Sequence, residues 1–162
     1  MKIFIIVLSI FVLFNSTLAQ VAEPAQTTES IEQSVFGLGI AGGVASGFGL
    51  SFRHHMPGDF SYQIIGGVIK ADNQTLLNVG TELQYDFVRG ATTRFFGAGA
   101  LGYFYRGRSE NELSAPIRFG LGIGGELNKL EPLHISGELL FTFFNDGTIL
   151  PLPQISIHYY FF

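Results

Sequence analysis

The sequence predicts an all-β protein: a single antiparallel, up-and-down transmembrane β-barrel of about eight strands, which follows a cleaved signal peptide. Three observations predict it. The N terminus carries a short apolar segment, apolar and small or polar residues alternate along the chain from Val35 onward, and charged residues are rare at 14% against 47% hydrophobic residues. Soluble proteins average about 25% charged residues. Because no later stretch is long enough for a membrane helix of about 20 residues, the apolar side chains must lie on strands.

The first 19 residues have the three parts of a secretory signal peptide. Lys2 is the positive start, residues 3–14 (IFIIVLSIFVLF) are the apolar run, and Thr17 and Ala19 are small residues before the expected cleavage. The run is too short to span a bilayer. The chain has no cysteine, so we expect no lipid anchor, disulfide or thiolate metal site. Residues 20–34 are polar without an apolar period, which indicates a flexible leader.

Residues 35–162 form the predicted barrel domain, and their clearest strand is 76–87 (LLNVGTELQYDF). Leu77 and Leu83 lie in one register, and Asn78 and Glu82 lie in the other. An alternation with period two is typical of a strand. Turn signals divide the domain into eight predicted strands with short connections, which indicate an antiparallel meander. The strands are expected at 35–44, 47–55, 60–70, 75–88, 93–105, 115–128, 132–144 and 153–162.

The two registers of the strands predict which face meets lipid. One register is apolar, as in Phe48, Leu50 and Phe52, and the other is mostly glycine with Ser, Asn, Gln and a few charges. Small side chains suit the crowded interior of an eight-stranded barrel, so the apolar register should face lipid. Aromatic residues near strand ends favour the same arrangement, because they form girdles at membrane interfaces. These aromatics are Phe60, Tyr62, Tyr85, Phe87, Tyr103, Tyr105, Tyr159 and Phe161.

Glycine in every second position also produces three G-x-G-x-x-G matches, at 37–42, 97–102 and 120–125. A dinucleotide site needs this motif between a strand and a helix. Each match here lies inside a predicted strand with no helix after it, so we expect no nucleotide cofactor. The net charge of −4 also argues against nucleic acid as a partner.

A few charged residues share the inward register and form the candidate site. Since an unpaired buried charge is costly, we predict that they pair across the lumen and close it at the end that carries the termini. Above this plug we expect an open vestibule lined by Gly, Ser and Thr. A selective pore and a catalytic cluster are the alternatives. The predicted lumenal ion-pair network comprises Arg53, Glu82, Arg94, Arg118, Glu126, His134 and Glu138.

The C-terminal segment 154–162 (QISIHYYFF) alternates apolar residues and ends in aromatics. With the signal peptide and the alternating strands, it resembles the small eight-stranded outer-membrane β-barrel proteins of Gram-negative bacteria. The resemblance covers 35–162 and implies location in the bacterial outer membrane, contact with its lipid, and insertion by the outer-membrane assembly machinery through the last strand. Phe162 is one residue beyond the alternating register.

One constellation resembles the small outer-membrane barrels that deacylate lipid A. His134 and Ser136 share the inward face, and Glu126 should lie opposite His134 across a turn. The third residue of that family's motif is Asn, whereas Gly137 stands here, and the group lies at the periplasmic end rather than near the outer leaflet. We therefore expect no catalytic residues. His54, His55 and His158 do not combine into a chelating set, because neighbouring strand residues point to opposite faces, so we expect no metal either.

The sequence thus favours a small outer-membrane barrel with a structural or interaction role, whose extracellular partner it does not identify. The loops at 71–74, 106–115 and 145–153 should face outward, and the charged 106–115 loop is the expected contact surface. A soluble lipocalin-like barrel that binds a lipophilic ligand is the alternative, and a lipid A-modifying hydrolase is the third hypothesis.

Overall fold

The computed structural model describes residues 34–71, 74–108, 110–130 and 132–161. The predicted signal peptide, all but the last residue of the predicted leader, and Phe162 lie outside these ranges. No helix in the described ranges is long and apolar enough to cross a bilayer. The strands are β1 (Val35–Gly43), β2 (Gly47–His55), β3 (Phe60–Ala71), β4 (Gln74–Arg89), β5 (Thr93–Gly107), β6 (Ile117–Leu130), β7 (Leu133–Phe144) and β8 (Ile149–Phe161).

The eight strands close into one barrel in sequence order. Each strand pairs antiparallel with its neighbour in the chain, and β1 pairs with β8 from Phe36↔Phe161 to Gly42↔Ile155. Closure leaves no sheet edge along the paired length, which matters for a sheet this apolar. The predicted all-β, antiparallel, up-and-down barrel of eight strands is confirmed.

The strands are tilted by a register stagger. The stagger can be measured by tracing paired residues around the barrel from Ala100. The path through β4, β3, β2 and β1 ends at Tyr160 on β8, whereas the path through β6 and β7 ends at Leu150 on β8. The two paths differ by ten residues of β8. A stagger of this kind tilts the strands against the barrel axis, and eight tilted strands enclose a lumen that side chains can fill.

The two faces of the barrel differ in polarity, as the two registers of the sequence do. Outward side chains are apolar and exposed, such as Leu50 (77%) and Ile123 (65%), whereas inward polar side chains are buried, such as Arg53 (1%), Gln63 (0%) and Glu82 (0%). A soluble fold arranges these classes the other way round. The candidate site therefore lies in a polar interior that is enclosed by an apolar outer face.

The β1–β2 hairpin is shorter than its neighbours. Its last pair is Gly43↔Gly47, while β8 continues past the end of β1 and β3 continues past Gly66, each held by one partner strand. A notch in the barrel wall results. We define the notch by its two borders, residues 149–154 of β8 and 67–71 of β3.

The N-terminal part of β8 corrects the sequence prediction, which placed a connection at 145–153 and began the strand at 153. Ile149 already pairs with Phe143. Pro151 and Pro153 suggested a loop, but they lie beside the notch. Tyr160 donates its backbone N–H to Pro132, on the β7 side. Backbone N–H groups alternate in direction along an unbroken strand, so the nitrogens of Pro151 and Pro153 point to the β1 side. Because β1 has already ended there, no hydrogen bond is needed from them.

Candidate functional site

Two charged side chains form the centre of the lumenal site. The end of the barrel that holds Val35 and Phe161 is called the terminal end here, and the opposite end is the loop end. Near the terminal end, Arg53 Nη1 lies 2.5 Å from Glu126 Oε2, and both side chains are almost fully buried. Arg53 also donates from Nε to Gln63 Oε1 at 2.8 Å and from Nη2 to Ser156 Oγ at 3.0 Å. β2 and β6 thus meet across the lumen through one ion pair.

Arg94 binds the same carboxylate from another side. Its Nη2 lies 2.7 Å from Glu126 Oε2, and its Nη1 lies 2.8 Å from Asp86 Oδ1. Arg94 also donates to Gln84 Oε1 at 2.7 Å and to Ser61 Oγ at 3.0 Å. Each of these two buried guanidinium groups therefore has a carboxylate partner, which is the condition under which buried charges are tolerated.

A second layer lies next to this centre, toward the loop end. The amide nitrogen of Gln84 donates to Glu82 Oε1 at 2.6 Å and to Glu138 Oε1 at 3.4 Å. The amide nitrogen of Gln154 lies 2.5 Å from Glu82 Oε2 and 3.2 Å from Glu138 Oε2. Arg53 connects the layers, because its Nη2 lies 3.9 Å from Glu138 Oε1. Two amides thus bridge two carboxyl groups across the lumen.

His134 lies in the charged centre, but it is not bonded to the neighbouring serine. Its Nδ1 is 2.8 Å from Glu126 Oε1, while its Nε2 is buried and has no hydrogen-bond partner in the described structure. Ser136 Oγ instead binds Ser156 Oγ at 2.5 Å and accepts from Arg53 at 3.2 Å. A nucleophile in a Ser–His–acid triad needs the imidazole within reach of its hydroxyl. This geometry lacks that hydrogen bond.

Of the predicted network residues, only Arg118 lies apart from the others. It is at the loop end, where its guanidinium lies 3.9 Å from the centre of the Phe104 ring and 5.1 Å from that of Phe144. Its Nη1 donates to the backbone oxygen of Val44 at 3.1 Å. The sequence analysis included Arg118 in the network and expected it toward the outer mouth; the tilted strand β6 separates it from Glu126 by eight positions.

The structure adds members that the sequence analysis did not include in the site. Asp86 pairs with Arg94, and Gln84 and Gln154 bridge the carboxyl groups. His55 Nε2 lies 2.7 Å from Tyr160 Oη. The period-two register contains this signal, since Asp86 and Gln84 share the face of Glu82, and His55 shares that of Arg53. Charge was too narrow a criterion for the uncharged Gln84 and Gln154, whereas Asp86 met it and was still not included.

The loop side of the lumen is filled by the connection between β1 and β2, residues 44–46, which we call the tucked turn. Ala45 is buried in a cluster with Phe96, Ala98, Ala100 and Leu140. Ser46 Oγ donates to Gln154 Oε1 at 2.5 Å, directly above the second layer. The expected open vestibule lined by small residues is thus wrong in this part of the lumen, since the chain itself occupies the space.

Three glycines on the opposite wall make this tuck possible. A Cβ at Gly120 would lie 2.8 Å from the Cβ of Ala45. Cβ atoms at Gly80 and Gly102 would collide with the backbone oxygens of Ser46 and Ala45. The glycine register of the sequence therefore has a specific use here: it lets a backbone turn cross the lumen and touch β4, β5 and β6.

Comparison with known proteins adds little to this description. No protein-family model and no curated protein matches the sequence. Among solved structures, one match is the crystal structure of Neisserial surface protein A, with 14% sequence identity and a TM-score of 0.37, covering 78% of this chain and 92% of that chain. At this level of similarity, the fold assignment depends on the strand pairing of the chain itself.

Proposed function

We propose that the chain is a small outer-membrane β-barrel protein of the bacterial envelope, with a structural or interaction role and a closed lumen. The inverted distribution of side chains carries this proposal. The outside is a belt of exposed Leu, Ile, Val and Phe, and the inside holds buried Arg, Glu and Gln. Water would favour the reverse, whereas a bilayer favours an apolar outer band around a polar interior.

The aromatic residues support a membrane setting with two interfaces. Near the terminal end, Phe60 and Tyr85 pack on the outer face with ring centres 5.0 Å apart, and Tyr159 and Phe161 do so at 5.3 Å. Tyr103 is exposed toward the loop end. Aromatic girdles at both edges of an apolar band are typical of barrels that span a bilayer.

The closed lumen argues against a diffusion pore and against a soluble ligand carrier. The ion-pair network and the tucked turn fill the middle of the barrel with charged, amide and backbone groups. A lipocalin-like protein would need an apolar interior for its ligand, whereas Arg53, Gln63 and Glu82 occupy that position with at most 1% exposure. We also propose a non-catalytic role, because Ser136 hydrogen-bonds to Arg53 and Ser156 rather than to His134.

The partners follow from the two ends of the barrel and from its surface. Lipid covers the apolar band, and β8 with its outward Ile155 and Tyr159 is the segment that the outer-membrane assembly machinery would bind. Between β5 and β6, Arg108, Glu110, Glu112 and Ser114 are exposed. This charged loop is the proposed contact surface for an extracellular partner.

Fractionation tests the proposal. The protein expressed with its N-terminal segment should pellet with the outer membrane, and a sample left unheated should migrate differently on a denaturing gel from a boiled one. A variant with Leu101→Asp and Leu121→Asp on the apolar band is the matched control and should lose both properties. Recovery of the unaltered protein in the soluble periplasm would support the lipocalin-like alternative instead.

A further inference from the structure

The loop end of the barrel contains a cavity of about 290 Å³ above the tucked turn. Its walls are mostly apolar and include Phe48, Leu76, Phe104 and Leu113, while Arg106 and Arg118 supply positive charge. Pockets for small ligands have volumes of roughly 300–1,000 Å³ and combine an apolar lining with a few polar groups. The cavity is slightly smaller than that range and has that composition.

Among the residues that the structure describes, Arg118 has no acidic partner, unlike Arg53 and Arg94. Arg53 and Arg94 both bind Glu126, whereas no described carboxylate lies within 4.0 Å of Arg118. The guanidinium lies on the Phe104 ring, and its Nε is buried with no hydrogen-bond partner in the residues that the structure describes. A half-buried cation without a counter-ion beside an apolar cavity is suited to an anion from outside the chain.

The notch in the barrel wall lies beside the cavity. It stands above the tip of the β1–β2 hairpin, and Gly43 and Phe48 at that tip line the cavity. Its borders carry exposed apolar side chains, namely Val68 and Ile69 on β3 and Ile149 and Leu150 on β8. These exposed apolar borders are the side from which an acyl chain would approach out of a surrounding bilayer.

We propose that this cavity binds a single-chain amphiphile with an anionic head. The head is held by Arg118, with Arg106 beside it, and the chain lies along Phe48, Leu76 and Phe104. The small volume favours one acyl chain over a multi-chain lipid. A free fatty acid and a lysophospholipid share this chemistry. Entry from the side depends on the proposed membrane location, but binding itself does not.

Native mass spectrometry of the folded protein in a non-ionic detergent tests the proposal with laurate, lysophosphatidylglycerol and dodecanol as separate probes. One of the two anions should form a one-to-one adduct, and which of them does so identifies the source. Dodecanol, with the same chain length as laurate and no charge, should not bind. Arg118→Gln should weaken the adduct about tenfold or more, since it removes a charge-assisted hydrogen bond.

Two further variants separate binding from folding. Arg108→Gln removes one positive charge from the same end of the barrel outside the cavity and should leave the adduct unchanged. Arg106→Gln changes an exposed cavity residue whose side chain donates to Gln74 Oε1 at 3.3 Å, and it should weaken the adduct even if Arg118→Gln fails to fold. Adducts of variable stoichiometry, equal binding of dodecanol, or equal losses in Arg108→Gln and Arg106→Gln would overturn the proposal. Failed fractionation with intact anion binding would overturn only the membrane location.

Discussion

Arg53 and Glu126 join opposite sides of the barrel through one buried contact, 2.5 Å between Nη1 and Oε2. The same Oε2 lies 2.7 Å from Arg94 Nη2. One carboxylate oxygen therefore contacts two guanidinium groups, and Glu126 is the acidic residue that Arg53 and Arg94 share. Breaking a buried pair by removing one partner leaves an uncompensated charge, which costs about 3–5 kcal/mol.

The first prediction follows from this shared carboxylate. Glu126→Gln should lower the free energy of unfolding by about 3–5 kcal/mol, because two buried arginines lose their common counter-ion. Arg94→Gln combined with Glu126→Gln should cost less than the two single changes together, by roughly 0.5–3 kcal/mol. Urea unfolding in detergent, followed by tyrosine fluorescence, measures all three variants. Strictly additive losses would show that the two side chains are not coupled.

The second prediction concerns the tucked turn. Gly102→Val places a side chain where Ala45 now lies and should cost about 1–3 kcal/mol of unfolding free energy, as overpacking does. Gly42→Val is the matched control, because a Cβ at Gly42 meets no atom within 4 Å and valine is favourable in a strand. Equal stability of the two variants would mean that the turn does not need the glycine wall.

The third prediction concerns lumen closure. The intact protein in planar bilayers should show no steady ion conductance, since we propose that charged side chains and the turn close the lumen. Gly102→Val should raise conductance if it expels the turn, and Gly42→Val should not. Steady conductance of the unchanged protein would contradict the closed lumen, whatever the stability of the variants.

The fourth prediction concerns catalysis. His134→Gln should leave the acylation pattern of the host lipid A unchanged, because His134 binds Glu126 and not Ser136. Mass spectrometry of lipid A from cells that express either form measures this. Disappearance of a deacylated species in the variant would restore the hydrolase hypothesis, and Ser136→Ala would then be expected to show the same loss.

Period two was sufficient to predict the barrel, the strand number and the direction in which most side chains point. Leu83 and Leu121 are outside, and Glu82 and Glu126 are inside, as the alternation requires. This succeeds because a strand in a closed barrel has only two faces, and a slip of one residue would invert every position. Local pattern therefore determines the direction of a side chain.

The period-two alternation does not predict contacts between distant strands. Nothing in the local sequence of 44–46 shows that this turn bends across the lumen, because the space is made by Gly80, Gly102 and Gly120 on the opposite wall. The error at β8 has a related cause. Pro151 and Pro153 argue against a strand only when their nitrogens face a partner, and the early end of β1 removes that partner.

Contact between the apolar band and lipid can be tested directly with a single introduced tryptophan, since the chain has no tryptophan of its own. Ile123→Trp places one reporter on the apolar band, and Glu112→Trp places a control in the exposed β5–β6 loop. In vesicles of lipid brominated on the acyl chains, we expect strong quenching at 123 and little at 112. A folded Ile123→Trp variant whose fluorescence is no more quenched than that of the loop control would contradict this expectation.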